Sequence, residues 1–374
     1  MPRGSNITFL SVVKWLVFAT NIVAILLLFS AFLAWNVSPL RTNLFSFLGL
    51  GFGIILFVNV VYLLFWIAVG RWRFALVSLI ALVLCWKPIF TFFPMNIFPS
   101  NVPENTIKVL TYNVHGFTGE RGREAVSRPM LEYIASVDAD IVLLQEYFVC
   151  RTGQTAISQE QIRAILYRYP YYSVIELGGS SGNHIIGLAI FSRFPIEDTQ
   201  QIDLNSSFNG AVVHTLNIDG KRISVANVHL ESNRITPADR QLYADFFQTD
   251  TIGFGAVAEN IRARLGVAFR ARAQQVALIR DFIDAQDSDG VIIAGDFNDT
   301  PISYTYARMR RGMRDAFTAT GFGPGITYHE DFFLFRIDYI LHCPNFRAYR
   351  TRRDRVYYSD HYPVWTHLRW VGMP

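Results

Sequence analysis

No aspartate or glutamate occurs in the first hundred residues, which carry only six cations: Arg3, Lys14, Arg41, Arg71, Arg73 and Lys87. All 30 acidic side chains lie behind that stretch, where 28 Lys and Arg leave a net charge of −2. A chain divided in this way is built for two solvents. Leu10–Trp35 and Asn43–Gly70 are apolar runs that exceed the roughly 20 residues needed to cross about 30 Å of hydrocarbon. A third run, Phe74–Phe93, is interrupted by Lys87-Pro88, where a lysine can snorkel to the headgroups. The first run is too long for a signal-peptide core, has no convincing small-residue cleavage site, and is followed by more apolar sequence. The reading is a retained all-α transmembrane anchor over residues 1–95, with about three helices near 10–35, 43–70 and 74–93. Its partner is the lipid bilayer.

Orientation follows from parity. With three crossings, Arg3, Lys14, Arg71 and Arg73 share one side and Arg41 lies opposite. The positive-inside tendency then puts the remainder of the chain on the non-cytoplasmic face of a plasma or inner membrane. If the third run only lies along the interface, that domain moves to the cytoplasm. The basic pI of about 8.9 originates in the first hundred residues, so it does not indicate a nucleic-acid-coating surface.

A proline-containing linker is expected over 96–106. Beyond it, short runs rich in β-branched or aromatic residues alternate with turn residues: "IKVLTYN", "DIVLLQE", "YYSVIEL", "IIGLAIFS", "AVVHTLNI", "RISVANVHL", "VIIAG", "IDYILH" and "PVWTHL". Several lack strict alternation, as strands covered on both faces do. Between them, Ile261, Leu265, Phe269, Val276, Ile279 and Ile283 keep helical spacing. A second helix is expected over Ser127–Ser136, and a third through Met309 with Thr300 as N-cap and Pro301 at its first position. Strands and interspersed helices together indicate an α+β sandwich of two sheets. Of three cysteines, Cys85 sits in the third apolar run, so only Cys150 and Cys343 are available for a bridge in the second body, and the sequence leaves that pairing open.

The strands end unusually. "IKVLTYN" finishes at Asn113, "DIVLLQE" at Glu146, "RISVANVH" at His229, and "VIIAGDFN" at Asp296 and Asn298; Asp338 opens "DYIL", and Asp360-His361 precede "YPV". Taken singly, a strand-end Asn or Asp is a turn former and a lone His is structural. Six such groups at core-strand ends instead form a set able to bind a cation and a phosphate. Asp299 before Thr-Pro is better explained as a helix cap.

"YNVHG", "LQE", "NVHL", "GDFND", "RIDYIL" and "SDHYPV" occur in an order that resembles the endonuclease/exonuclease/phosphatase superfamily over residues 107–370. That superfamily includes DNase I, exonuclease III-type AP endonucleases, neutral sphingomyelinases and inositol-polyphosphate 5-phosphatases. The resemblance implies a DNase I-like four-layer α/β/β/α sandwich whose loops meet at one edge, and metal-dependent hydrolysis of phosphate esters. Glu146 is the expected ligand of Mg²⁺ (or Mn²⁺), a hard cation that prefers carboxylate oxygen, with Asn113 and Asp360 beside it. Asp296 is expected to deprotonate the attacking water and Asn298 to hold it. His361, oriented by Asp338, and His229 would contact the phosphate. His115 is close enough in sequence to Asn113 to line the site, whereas His184, His214, His329, His342 and His367 are read as structural. No G-x-S-x-G elbow supports a serine nucleophile, and the remaining His and Cys lack zinc-ligand spacing. The sequence shows neither the partner that His229 has in the DNase I branch nor the tyrosine that AP endonucleases add.

Every branch cleaves phosphate esters, so these residues do not name the substrate. Membrane attachment favours phospholipid, sphingolipid or GPI-type headgroups, and tethered members of this superfamily resemble the domain of GPI-anchor lipid-remodelling factors. A membrane-tethered nuclease is the alternative. Its support is arginine clustering: Arg347, Arg350, Arg352, Arg353 and Arg355 before "SDH", and Arg308, Arg310, Arg311 and Arg314 after "GDFND". A non-catalytic membrane receptor on the same fold is the third reading. No protein partner is inferable.

Overall fold

The computed structural model describes residues 9–98, 100–118, 127–151, 157–180, 182–233, 236, 238–239, 241–242, 245, 253–330 and 334–372; Arg3 lies outside them. The apolar runs become helices: α1 (Phe9–Phe32), α2 (Leu44–Leu50), α3 (Phe52–Ala68), α4 (Trp72–Leu84) and α5 (Trp86–Phe92). Only the first, as the 25-residue helical stretch Ser11–Trp35, is by itself long and apolar enough to cross a membrane. The other two runs are bent pairs, α2 with α3 by 66° and α4 with α5 by 67°, which brings the count to three if each pair is one span. The first bend falls in the glycine-rich "LGLGFG", where Gly49 lies so close to the Ile302 carbonyl that a Cβ there would overlap it. The second falls at Cys85, and it puts Pro88 in the first turn of α5, where a missing N–H leaves no helical bond unmade. Polar side chains tie the bundle together: Trp66 Nε1 and Ser78 Oγ donate to Asn21 Oδ1 at 2.9 and 3.0 Å, and Asn59 Nδ2 donates to the Ala24 carbonyl at 2.9 Å.

The remainder builds two six-stranded sheets. The first contains β1 (Ile107–Asn113), β2 (Ile141–Cys150), β3 (Tyr171–Glu176), β4 (His184–Ser192), β11 (Phe346–Arg353) and β12 (Val364–Trp370), in the order β11-β12-β1-β2-β4-β3. The second contains β5 (Ile196–Ile202), β6 (Gly210–Ile218), β7 (Lys221–His229), β8 (Gly290–Asp296), β9 (Arg314–Asp315) and β10 (Asp338–His342), in the order β5-β6-β7-β8-β10-β9. Only β1–β2 and β7–β8 pair in parallel among these neighbours.

Alternate residues of each strand enter different layers. Val109, Ile141, Leu143, Val225, Ile292 and Ile340 share the core between the sheets. Leu110, Tyr112, Val142 and Leu144 face outward onto helices Ser127–Val137 and Gln159–Ile165. Ala226, Val228 and Ile293 face the long helix Phe254–Asp284 through Val276, Ile279 and Ile283. This is the expected four-layer sandwich, and burial on both faces explains the missing alternation.

One local expectation changes, and two features that the sequence left open are decided. The helix expected to start at Thr300 starts at Tyr304, capped by Ser303, whose Oγ accepts from the Tyr306 amide at 3.1 Å. Pro301 is turned away because its carbonyl accepts from Trp35 Nε1 at 2.8 Å. Cys150 and Cys343 are both free thiols. Finally, the start of the 96–106 segment is docked rather than extended. Asn96 Nδ2 donates to the Gly321 carbonyl at 2.8 Å, and Arg336 Nη2 reaches back to the Thr91 carbonyl in α5 at 2.5 Å.

Candidate active site

Strand register assembles the site. In the first sheet, Asn113 pairs with Gln145, so Asn113 and Glu146 lie at the same end of two parallel strands. In the second, His229 pairs with Asp296, and Asp296 pairs across its other edge with Asp338. The carboxyl ends of both parallel pairs therefore meet at one edge of the sandwich. Gly295 permits this arrangement: its φ is +142°, and a Cβ there would overlap the Val228 carbonyl, forcing β7 away from β8. Glu146 adopts φ +50° at a bulge where the β2–β4 register shifts between Leu144 and Tyr147, and Asn298 adopts φ +52°. Such values are uncommon for residues with a Cβ and cost on the order of 1–3 kcal/mol each.

Asn113 stands between two carboxylates, its Nδ2 donating to Glu146 Oε1 at 2.9 Å and to Asp296 Oδ2 at 3.1 Å. Its Oδ1 accepts from the His115 amide at 3.1 Å. The Asn298 amide N–H donates to Asp296 Oδ1 at 2.8 Å, and its side chain is pinned to the Leu230 carbonyl at 3.0 Å. His229 Nε2 lies 3.6 Å from Glu146 and 3.8 Å from Asp296. Neither ring nitrogen of this buried imidazole has a hydrogen-bond partner among the described residues, so it is poised for something that enters the cleft. On the other flank, His361 Nδ1 is 2.9 Å from Asp338 Oδ2, and its Nε2 is 3.7 Å from Asp296. Asp360 lies 3.5 Å from His115, which is thereby brought to the site.

Burial, reinforced by the Asp338 charge, raises the Asp296 carboxyl to about 6, against the opposing pull of His361 and His229. Burial depresses His361, but Asp338, Asp296 and Asp360 more than offset it, and the imidazole is held well above its ordinary value. A carboxyl raised to about 6 therefore stands beside an imidazole whose charged form is favoured.

Asp296, Asp338 and His361 offer ligand atoms within 4.8 Å of one another. With one nitrogen of His361 engaged by Asp338, that group is a hydrogen-bonded acid–base unit rather than a cation cage. Glu146 fits a hard cation better. Its side chain is 38 % exposed, and only an amide separates its carboxylate from that of Asp296. The one guanidinium among the described residues lining this part of the cleft, Arg272, is already engaged by Asp299 at 3.3 Å, the Glu231 carbonyl at 2.8 Å and Asn233 at 3.0 Å. Asp299 is therefore an ion-pair partner, not the helix cap expected of it. None of the nine clustered arginines is among the residues lining the cleft; Arg310, for instance, stacks over Trp35 at 5.6 Å.

Sequence reasoning missed several supports. Gln145 and Asn227 join the two sheets at 2.6 Å, and Asn227 also donates to the Leu144 and Ala189 carbonyls. Polar residues at inward positions of apolar strands were the available signal. Ser359 donates to the Asn113 carbonyl at 2.8 Å and accepts from the His361 amide at 3.2 Å. Thr327 receives the Asp338 amide at 3.1 Å, and Tyr328 packs edge-on against His361 at 5.1 Å; both come from a loop with no sequence signal.

Comparison with known proteins agrees with this geometry. Residues 110–361 match the model of the Endonuclease/Exonuclease/phosphatase family, and residues 14–92 match a domain of unknown function. Uncharacterized protein YbhP of Escherichia coli (strain K12) is 24% identical over 287 residues, which is 71% of this chain and 97% of that protein. The crystal structure of an endonuclease/exonuclease/phosphatase from Beutenbergia cavernae superposes with a TM-score of 0.51 at 17% identity, covering 72% of this chain and 73% of that one. A D. rerio TDP2 structure complexed with single strand DNA product has a TM-score of 0.48 at 16% identity, covering 71% of this chain and all (100%) of the other.

Proposed function

Because this chain belongs to the Endonuclease/Exonuclease/phosphatase family, whose members are hydrolases of phosphate esters, we propose that it is a divalent-metal-dependent phosphodiesterase, held at a membrane, that acts on lipid phosphate headgroups. The observation that carries the chemistry is Asp296, buried between His229 and His361 and facing Glu146 across Asn113. Asp296 takes the proton of the attacking water, while the Asn298 amide fixes the carboxylate that does so. The cationic His361 donates to a phosphate oxygen through Nε2, with Asp338 holding its other nitrogen. His229 contacts a second phosphate oxygen. Mg²⁺ or Mn²⁺ would be held by Glu146 with Asn113 and Asp360 beside it, and it supplies Lewis-acid polarisation of the phosphoryl group. The presence of Glu146, Asp296 and His361 in this arrangement speaks against a non-catalytic receptor.

The lipid assignment rests on where the cleft opens. Leu50 of α2 lines it beside Asp296 and His361, so the bilayer that would surround the anchor borders the site, and anchoring raises the effective concentration of headgroups there. We place the catalytic domain on the non-cytoplasmic side of a multi-pass anchor. Phe18, Trp66 and Phe74 pack together at the end of the bundle that carries Lys14, Arg71 and Arg73, and α5 docks on the catalytic domain at the other end.

The test uses full-length protein in liposomes against phospholipid, sphingomyelin and DNA, with and without chelator. Metal-dependent release of lipid headgroup, lost about a hundredfold or more in Asp296→Asn, is the expected result. Cleavage of DNA with none of lipid would make the protein a tethered nuclease, and undiminished activity in excess chelator would remove the metal.

A further inference from the structure

The cleft has two lobes that meet at Glu146, and their walls differ in kind. The lobe holding Asp296 and His361, about 300 Å³, is walled by Leu50, Ile261, Leu265, Phe269 and Phe335. Ile261, Leu265 and Phe269 are spaced four residues apart and form one face of the long helix. The lower half of that helix packs on the second sheet through Val276, Ile279 and Ile283. Its upper half instead meets the membrane segment, where Phe47 of α2 packs edge-on against Phe269 at 5.3 Å. The slot is therefore shared between the catalytic domain and α2, and it runs from the reacting carboxylate to a helix of the anchor.

The other lobe, about 770 Å³, is lined by Asn205, Ser206, Ser207, Asn209 and Glu231, with His115 and His229 at its inner end. Thr118 and Ser232 add further hydroxyls, beside an apolar wall of Phe148, Ile186 and Phe208. No Lys or Arg is among the described residues that line it, so none of these offers a fork for a second or third phosphate.

We infer that the cleft orients an amphiphilic phosphodiester, its hydrocarbon chain in the Leu50–Leu265–Phe269 slot and an uncharged polyhydroxylated headgroup, of the inositol or sugar class, in the Asn205–Asn209 lobe. This rests on the phosphodiesterase reading above and adds to it the substrate's direction and headgroup class. The chain comes from the bilayer because the slot is continuous with α2. A nucleic-acid strand would instead place phosphates on both sides of the scissile one, where the Arg272 guanidinium of one lobe is already taken up by Asp299 and no Lys or Arg is among the described residues lining the other.

The experiment uses the full-length protein in detergent with soluble inositol phosphodiesters whose second alcohol runs from methyl to octyl, and a matched choline series. The expected result is a kcat/KM that rises roughly two- to fourfold per methylene over the first several carbons, with the inositol series at least about tenfold above the choline series. In Leu50→Gln the chain-length slope should flatten. A flat slope in the unmodified protein that still turns over the methyl ester overturns the slot assignment and leaves the phosphodiesterase reading intact. Preference for choline overturns the headgroup assignment. Absence of turnover on every member, with metal present, is the separate failure of the phosphodiesterase reading itself.

Discussion

Replacing Asp338 by asparagine tests the acid–base unit at its most informative point. The carboxylate lies 2.9 Å from His361 Nδ1 and is buried with it. Taking about 4 Å between charge centres and an effective dielectric of about 20, the lost attraction is on the order of 4 kcal/mol. Asp338 also helps to hold Asp296 at about 6. In the proposed mechanism Asp296 works as a carboxylate, so activity should fall as pH drops through its pKa, and His361 works as a cation, so activity should fall as pH rises through its own raised pKa. Removing one negative charge lowers both values, and both limbs of the bell should move to lower pH. A cation at Glu146 would lower Asp296 in the unmodified protein and the variant alike, so the direction of the difference survives. At about pH 8 the rate should fall about a hundredfold or more. The assay is kcat/KM of the full-length protein on a chromogenic phosphodiester from about pH 4.5 to 9.5, with thermal midpoints as the check on folding. An alkaline limb that stays in place, or limbs that move apart, would refute the assignment of His361 as the acid held by Asp338.

Gly295→Ala should push β7 from β8, because the new Cβ overlaps the Val228 carbonyl; a loss of about 1–3 kcal/mol and at least a tenfold drop in kcat are expected, and an unchanged thermal midpoint would count against the close approach. Burial holds His214 down to about 3. Its stabilisation is therefore complete above the unfolded value near 6.5 and is lost as pH falls toward about 3, at about 1.4 kcal/mol per pH unit. His214→Gln should remove about 2 kcal/mol of the difference in unfolding free energy between pH 7 and pH 5, and an undiminished difference would place that sensitivity elsewhere. Arg336→Met strands the fully buried Asp315 carboxylate, 3.0 Å away, and cuts the bond to Thr91 in α5. It should cost about 3–5 kcal/mol, with partial recovery in the double variant with Asp315→Asn; no recovery would mean that the Thr91 contact dominates.

Much of this protein was legible in its sequence because each signal was local. Apolar runs without acids mark segments suited to hydrocarbon whatever packs on them, since hydrocarbon penalises charge residue by residue. Strands that end on Asn113, Glu146, His229 and Asp296 declare themselves because core runs rarely stop on such groups together, and their order carried the family resemblance. What lies between strands was not legible. Parallel register set Asn113 level with Gln145 and His229 level with Asp296, and no local pattern states which strands are neighbours. The Asp296 shift to about 6 arises from burial and from a carboxylate 42 positions away in the chain, so it exists only once the sheets close. None of the arginines clustered in sequence before "SDH" is among the residues lining the cleft, and Arg353 donates to the Ile326 carbonyl at 2.6 Å instead. Arg272 and Asp299, unremarkable in the chain, are buried beside it. The docking of α2 against the long helix, which makes Leu50 part of the cleft wall, goes with a bend at Gly51 and an edge-on contact between Phe47 and Phe269. Composition decides which solvent a segment prefers; only the closed tertiary structure decides what that segment touches.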